Sequence, residues 1–409
     1  MQNPATARPP RGTFASLALP QFRLLLAGTG ASQIGGWMEQ VARGWLVLEL
    51  THSPFQLGLL AFINGFASLI AAPFAGLIAD RLDRRMLAAV SQLLAALFAI
   101  TIGLLTAFDR VAMWQLYVMA TLGGVTFAIN MPARQVLVYD VVGSEYLTNA
   151  IALNAVTANI ARIAAPSIGG AVIAGIGVAE SFYAQTVFYL LATVATFMLR
   201  PATVAKPVRV PVWQGLREGF DFVRRDPVLS RLVLLNTVPN LLIYPYVTLF
   251  PIFAEDVLNV GSTGYGILLS GVGFGSIPGG LAVASMTHSR SKGVVMSVAA
   301  LLYMGMVASF ALSSWFALSF GLLIVGGIGW SMMAILNQTL LQLQLSDDAL
   351  RGRVISFYSM AGGITPFGSL AMGSAADHFG VQRAVAAFAM TGFALAAVLG
   401  LGSRRVRGL

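Results

Sequence analysis

Glu39 and Arg43 stand four residues apart inside an apolar stretch, and Arg162 stands inside another. A charge placed in a membrane span costs about 2.5–3.5 kcal/mol on insertion scales, so such groups are paired, wetted or functional. On a helix, residues four apart share a face, so Glu39 and Arg43 can meet. A carboxylate at this depth can hold either a proton or a guanidinium. Competition between protonation, arginine pairing and ligand binding is the chemistry of proton-coupled movement. A permanent structural ion pair is the other reading. Glu39, Arg43 and Arg162 are therefore the candidate proton-coupling residues. Bond-making chemistry has no comparable support. His52, His288 and His378 each fall near a predicted loop, and cysteine is absent. That leaves no Ser-His-Asp set, no thiolate and no metal cluster. No P-loop and no HExxH occurs. The expectation is a protein that is not an enzyme, takes no ATP, metal or cofactor, and draws on a proton gradient.

The elements that must carry these charges are membrane helices. The chain of 409 residues is 57% hydrophobic and 10% charged, whereas soluble domains are about 25% charged. A spanning helix needs about 20 mostly apolar residues, and twelve stretches qualify: about 22–48, 54–79, 86–107, 112–138, 149–176, 181–199, 229–253, 262–286, 293–312, 315–344, 353–375 and 382–401. Polar side chains recur on them. Asn64, Asn130, Asn154, Asn236, Asn240, Tyr244, Asn337 and Gln338 are candidates for a substrate cavity. Such groups serve equally as interhelical hydrogen bonds, worth about 0.6–2 kcal/mol each. Pro239, Pro245 and Pro251 predict that the seventh stretch is kinked or broken.

A long polar segment separates the sixth and seventh stretches. Its middle, from Trp213 to Arg225, has apolar residues at helical spacing and predicts a short amphipathic helix on the inner membrane surface. This gives an N-terminal six-helix bundle over 1–200, a cytoplasmic linker over 201–228 and a C-terminal bundle over 229–409. The net charge is +9, but the arginines collect in alternate loops. With both termini in the cytoplasm, Arg8, Arg11, Arg23, Arg81, Arg84, Arg85, Arg134, Arg290, Arg351 and Arg353 fall inside, and Arg110 and Arg383 outside. This is the positive-inside pattern, not a nucleic-acid surface. The halves also read as repeats. Arg134 to Ile151 aligns without a gap on Asn337 to Val354, which predicts two parallel halves related by an axis along the membrane normal.

Between the second and third stretches lies Gly76-Leu-Ile-Ala-Asp80-Arg81-Leu-Asp83-Arg84-Arg85. It resembles the G-x-x-x-D-R-x-G-R-[RK] loop of the major facilitator superfamily. The resemblance covers essentially the whole chain and implies an all-α integral membrane fold of twelve transmembrane helices in two pseudo-symmetric six-helix bundles. It implies a cytoplasmic gating loop of Gly76, Asp80, Arg81, Asp83, Arg84 and Arg85, in which Asp80 caps a helix of the other half and pairs with Arg84, with Asp140 extending the pairing. Asp83 departs from the usual glycine. Pro166, Gly169 and Gly170 are similar to an antiporter motif reported for exporters, with Ala161 and Ala165 replacing its first two glycines. Phe22-Arg-Leu-Leu, Asp80-Arg-Leu-Asp-Arg-Arg and Asn130-Met-Pro-Ala-Arg134 look like the bacterial branch that includes the enterobactin exporter and macrolide efflux pumps.

That branch implies proton-coupled export of small amphipathic molecules, such as siderophores or drugs, by alternating access. It implies a monomeric multi-pass protein of the bacterial inner membrane whose partners are its substrate, protons and the bilayer. An importer of a small metabolite, a lipid flippase and a non-transporting membrane sensor are the alternatives.

Overall fold

Hydrocarbon offers no hydrogen bonds, so each span must satisfy its own backbone, and helices do so. The computed structural model describes residues 12, 14–200, 212–286, 291–345, 348–403 and 407. The side chains of 76, 77, 79–81, 212–216 and 348–351 lie outside that description. The helices are α1 (Pro20–Thr51), α2 (Pro54–Arg81), α3 (Arg84–Ala107), α4 (Met113–Ile176), α5 (Val178–Phe197), α6 (Val212–Arg225) and α7 (Pro227–Val238), then α8 (Phe250–Ile252), α9 (Gly261–Ser285), α10 (Lys292–Leu312), α11 (Phe316–Leu343), α12 (Asp348–Gly362), α13 (Thr365–Phe379) and α14 (Val381–Ala396). Polar side chains set several helix starts. Ser53 caps α2, Asp83 caps α3, and Asp226 caps α7 through Val228 N and Leu229 N.

Eight helical runs among the described residues are long and apolar enough to cross a membrane. Twelve crossings fit because α4 holds two passes, α1 and α5 are long enough to cross but more polar, and the eleventh span is divided into two short helices. The fourth and fifth spans form one 64-residue run, α4, where a joining segment was expected. It is broken at Gly143, with φ 68° and ψ −177°, a conformation essentially reserved for glycine. One glycine therefore makes the turn, and helix continues on both sides. In the aligned place of the second half, α11 ends at Leu343 and α12 begins at Asp348.

The seventh span breaks as its prolines predict. After α7 the chain takes a π turn (Pro239–Ile243), a 3₁₀ stretch (Tyr244–Leu249), α8 and a second π turn (Phe253–Val257). The eleventh span is also broken, which was not expected. It divides into α12 and α13 around Gly363 and Ile364, and Pro366 opens α13. The two interruptions pack together. A Cβ on Gly368 would strike Leu241 O and the Pro245 ring, so the absence of a side chain lets the backbones approach.

In the first half α1, α2 and α3 pack on α4 and α5; in the second, α9, α10, α11, α13 and α14 pack on one another. The halves meet along two seams, α4 on α9 and α2 on α13. Gly170 lies against Ser262 O and Gly266, and Gly58 against Ser369 O and Gly373. Ser53 donates to Asp377 at 2.9 Å, and Tyr265 donates to Gln40 O at 3.2 Å. Phe62 and Phe66 stand edge-on to Phe367, with centroids 5.4 and 6.0 Å apart. Following each helix from its ends, these contacts gather from mid-height to the end away from the chain termini. The amphipathic helix α6 docks on α12 through a Glu218–Arg353 ion pair and a Phe220–Phe357 edge contact.

This seam makes a prediction. The chain has no cysteine, so Ser262→Cys, at a position 5% exposed, introduces a single thiol. Adding Gly170→Leu wedges α4 from α9 at an overpacking cost of about 1–3 kcal/mol, and should speed maleimide labelling of that thiol roughly tenfold or more. Unchanged labelling would mean the seam is not closed there.

Candidate functional site

The polar residues of the interior fall into two sets. In the first half, Arg43 donates to Glu39 at 3.1 Å, and Tyr189 of α5 donates its hydroxyl to the second Glu39 oxygen at 2.9 Å. The glutamate is thus held from its own helix and from a neighbour. The pair is not sealed: the side chains of Arg43 and Glu39 are 23% and 30% exposed. Arg134 also acts electrostatically on the Tyr189 phenol, as do Glu39 and Arg43. The expected fourth span, 112–138, already held Arg134 toward its inner end, and the residue stands half-buried on α4. Tyr189 was not singled out in the sequence.

Arg162 does not join this set. Its guanidinium lies over two indoles, 5.5 Å from the Trp37 ring centre and 5.1 Å from that of Trp330. Trp37 comes from α1 and Trp330 from α11, so the stack bridges the halves. A cation over an aromatic face contributes about 0.5–2 kcal/mol, more when desolvated. Neither tryptophan was anticipated, although their position carries a signal. Trp114 and Trp315 sit at helix ends and are exposed, as membrane-interface tryptophans are, whereas Trp37 and Trp330 lie deep within their helices.

Beside the stack is a cavity of about 380 Å³ in the second half, within the range of about 300–1,000 Å³ usual for ligand sites. Asn236, Asn240, Tyr244, Trp330, Gln338 and Tyr358 are among its lining residues. Both helix breaks contribute: Asn240 lies in the first π turn, and Gly362 ends α12. Asn236 donates to Tyr358 O at 3.3 Å, and Asn240 to Asn236 O at 2.8 Å. Interrupted helices around a cavity leave backbone and amide groups available to a ligand.

The remaining amides are placed otherwise. Asn64 donates to Ala120 O at 3.0 Å, tying α2 to α4, and Asn130 to Ala88 O at 3.4 Å, tying α4 to α3. Asn337 is 1% exposed and donates to Leu232 O at 3.0 Å, which ties α11 to α7. Asn154 is half-buried on α4. The amides thus divide between cavity lining and helix-to-helix bonds.

In the charged loop, the side chains of Gly76, Asp80 and Arg81 lie outside the described residues, and with them the Asp80 contacts. Arg84 pairs with Asp140 at 3.2 Å, with side chains only 12% and 5% exposed. Arg85 donates to Leu199 O at 2.7 Å, where α5 leaves carbonyls unpaired. Asp83 accepts from Arg85 N as the cap of α3, which gives the replaced glycine position a structural use. Pro166, Gly169 and Gly170 pack tightly. The Pro166 carbonyl meets Gly266, Gly169 meets Met38 and Val41, and Gly170 meets Ser262.

Two halves of paired helices, interrupted spans and a central polar cavity define an integral membrane transporter of the major facilitator fold. A family model described as transmembrane secretion effector matches residues 11–407, and the chain belongs to that family. It is similar to the staphyloferrin A transporter of Staphylococcus aureus, with 25% identity over 86% of this chain and 88% of that protein. The multidrug efflux pump Tap of Mycolicibacterium fortuitum is 27% identical over 91% and 92% of the two chains. The enterobactin exporter EntS of Shigella flexneri is 24% identical over 82% and 80%. Among solved structures, the nucleoside transporter NupG superposes with a TM-score of 0.77 at 13% identity, covering 93% of this chain and 98% of that one. A D-xylose–proton symporter superposes at 0.70 with 13% identity over 95% and 99%. These likenesses extend the fold assignment over nearly the whole chain.

The Arg84–Asp140 pair makes a stability prediction. Arg84→Ala leaves a buried carboxylate, whose Oδ1 already lacks a partner among the described residues, and should cost about 3–5 kcal/mol. Thermal unfolding of purified protein would show a large fall, mostly recovered in Arg84→Met/Asp140→Leu. Equal losses in both variants would show that the charges act separately.

Proposed function

We propose that this protein exports small amphipathic molecules, of the siderophore or drug type, across the bacterial inner membrane in exchange for protons. The observation that carries the reading is the Glu39 carboxylate, held deep in α1 by Arg43 and Tyr189 yet still partly exposed. Such a group can release its arginine when protonated and regain it when the proton leaves. The full-length similarity to two exporters or efflux pumps and a siderophore transporter supports the substrate type.

With both termini in the cytoplasm, as the arginine distribution favours, the contacts from mid-height outward close the outer side. The cavity of the second half then takes substrate from the cytoplasm or the inner leaflet. The bundles of residues 1–200 and 229–409 rock about the α4–α9 and α2–α13 seams. The Gly76–Arg85 loop, braced by the Arg84–Asp140 pair of the first half, closes the inner side against the second half in the opposite state. Protonation of Glu39 from outside frees Arg43 and resets the carrier. Pro166, Gly169 and Gly170 supply the close-packed outer gate.

The test is metabolite profiling of medium and cell contents, from cells carrying the protein, its Glu39→Gln variant or neither, with and without a protonophore. A compound is expected to build up outside only with the intact protein and an intact gradient. Glu39→Gln should lower its export roughly a hundredfold, the scale of a lost proton-transfer group. Build-up inside the cells would make the protein an importer, and export indifferent to the protonophore would end the antiport reading.

A further inference from the structure

Arg162 has an environment that neither packing nor the proton-coupling scheme uses. Its guanidinium lies over two indoles, 5.5 Å from the Trp37 ring centre and 5.1 Å from that of Trp330. Among the described residues, no acceptor oxygen or counter-ion meets it. It lines a small space together with Tyr244, Tyr303 and Trp330. Those same three residues line the cavity of about 380 Å³, so the cation lies beside that cavity. The residues lining both spaces include no aspartate or glutamate. Every other polar side chain there is neutral: asparagine, glutamine, tyrosine, serine or tryptophan.

A charge in this position asks for a partner that the protein does not supply. An arginine held against aromatic rings still offers a planar fork of N–H donors, matched in spacing to a carboxylate, sulfonate or phosphate. The two indoles hold the guanidinium in place, so less freedom is lost when an oxyanion arrives. Beyond it, Asn236, Asn240, Gln338 and the Tyr358 phenol can meet further polar groups, and Trp330 and Met333 an apolar or aromatic body. We infer that Arg162 is the anchor for the acidic group of the substrate, and that the transported molecules are amphipathic organic anions rather than organic cations. This rests on the transporter reading but not on its direction or its coupling ion. Because Trp37 and Trp330 come from opposite halves, an anion on Arg162 is held where the halves join.

The test uses the full chain in phosphatidylcholine nanodiscs and two matched probes, dansylglycine (an anion) and dansylcadaverine (a cation). Binding is followed by energy transfer from tryptophan to dansyl. Dansylglycine should bind about tenfold or more tightly than dansylcadaverine, as a charge-assisted fork contact requires. Arg162→Gln should weaken dansylglycine by about the same factor and leave dansylcadaverine unchanged, while Arg162→Lys, charged but without the fork, falls between. The Lys variant keeps the comparison open if Arg162→Gln unfolds. Saturable binding of both probes alike, no dansylglycine binding, or an Arg162→Gln variant with intact anion preference would overturn the inference. Full displacement of dansylglycine on adding phosphatidylglycerol to the nanodiscs would assign the site to a lipid headgroup and overturn it too. Binding in nanodiscs needs no gradient. Anion preference without protonophore-sensitive export would therefore sink the antiport reading alone, and export of a cation would sink this one alone.

Discussion

The structure depends on one constraint: a backbone in hydrocarbon must bond to itself. Helix is therefore the default, and every departure needs cover. The departures in the seventh and eleventh spans lie against each other and against a cavity, where the Asn236 and Asn240 amides donate to backbone carbonyls. The hydrogen bond from Asn240 to Asn236 O shows this at the scale of one residue. The break at Gly143 falls at the end of a pass, where the chain turns back.

Polarity is divided unevenly between the halves. The first half keeps its charges: Glu39, Arg43 and Arg134 around Tyr189, and Arg84 with Asp140. The second half lines its chamber with neutral donors. Arg162 belongs to the first half by sequence but faces the chamber of the second, held there by one tryptophan from each side. The Glu39 cluster and the cavity of the second half thus share no residues. The two are linked through α1, which carries Glu39 and Trp37 two positions apart on different faces.

Much of this was legible in the sequence. Apolar stretches about 20 residues long set the spans, and prolines foretold the broken seventh helix. The spacing of Glu39 and Arg43 foretold their pairing. The Tyr189 contact was not legible, because a lone tyrosine on an apolar helix looks like ordinary core. Nor was the Trp37–Arg162–Trp330 stack, which joins positions far apart in the chain; only the depth of the tryptophans hinted at it. The break at Gly363 was masked by the apolar run around it, although Gly-Gly-Ile-Thr-Pro is a stop-and-restart signal. Amide side chains carry the least information. Asn64 and Asn236 look alike in sequence, and only their neighbours send one to a helix seam and the other to the cavity.

The amphipathic helix α6 is more than a strap between halves. It is fastened to α12 by an ion pair and an aromatic contact, and α12 ends at the cavity wall with Tyr358, Ser359 and Gly362. Mechanically α6 is a handle on the second half. A chain divided into two co-expressed pieces would reassemble with its chamber intact only if the cut left that handle on the C-terminal piece. Anything that grips α6 from the aqueous side would be felt at the chamber wall, one helix away.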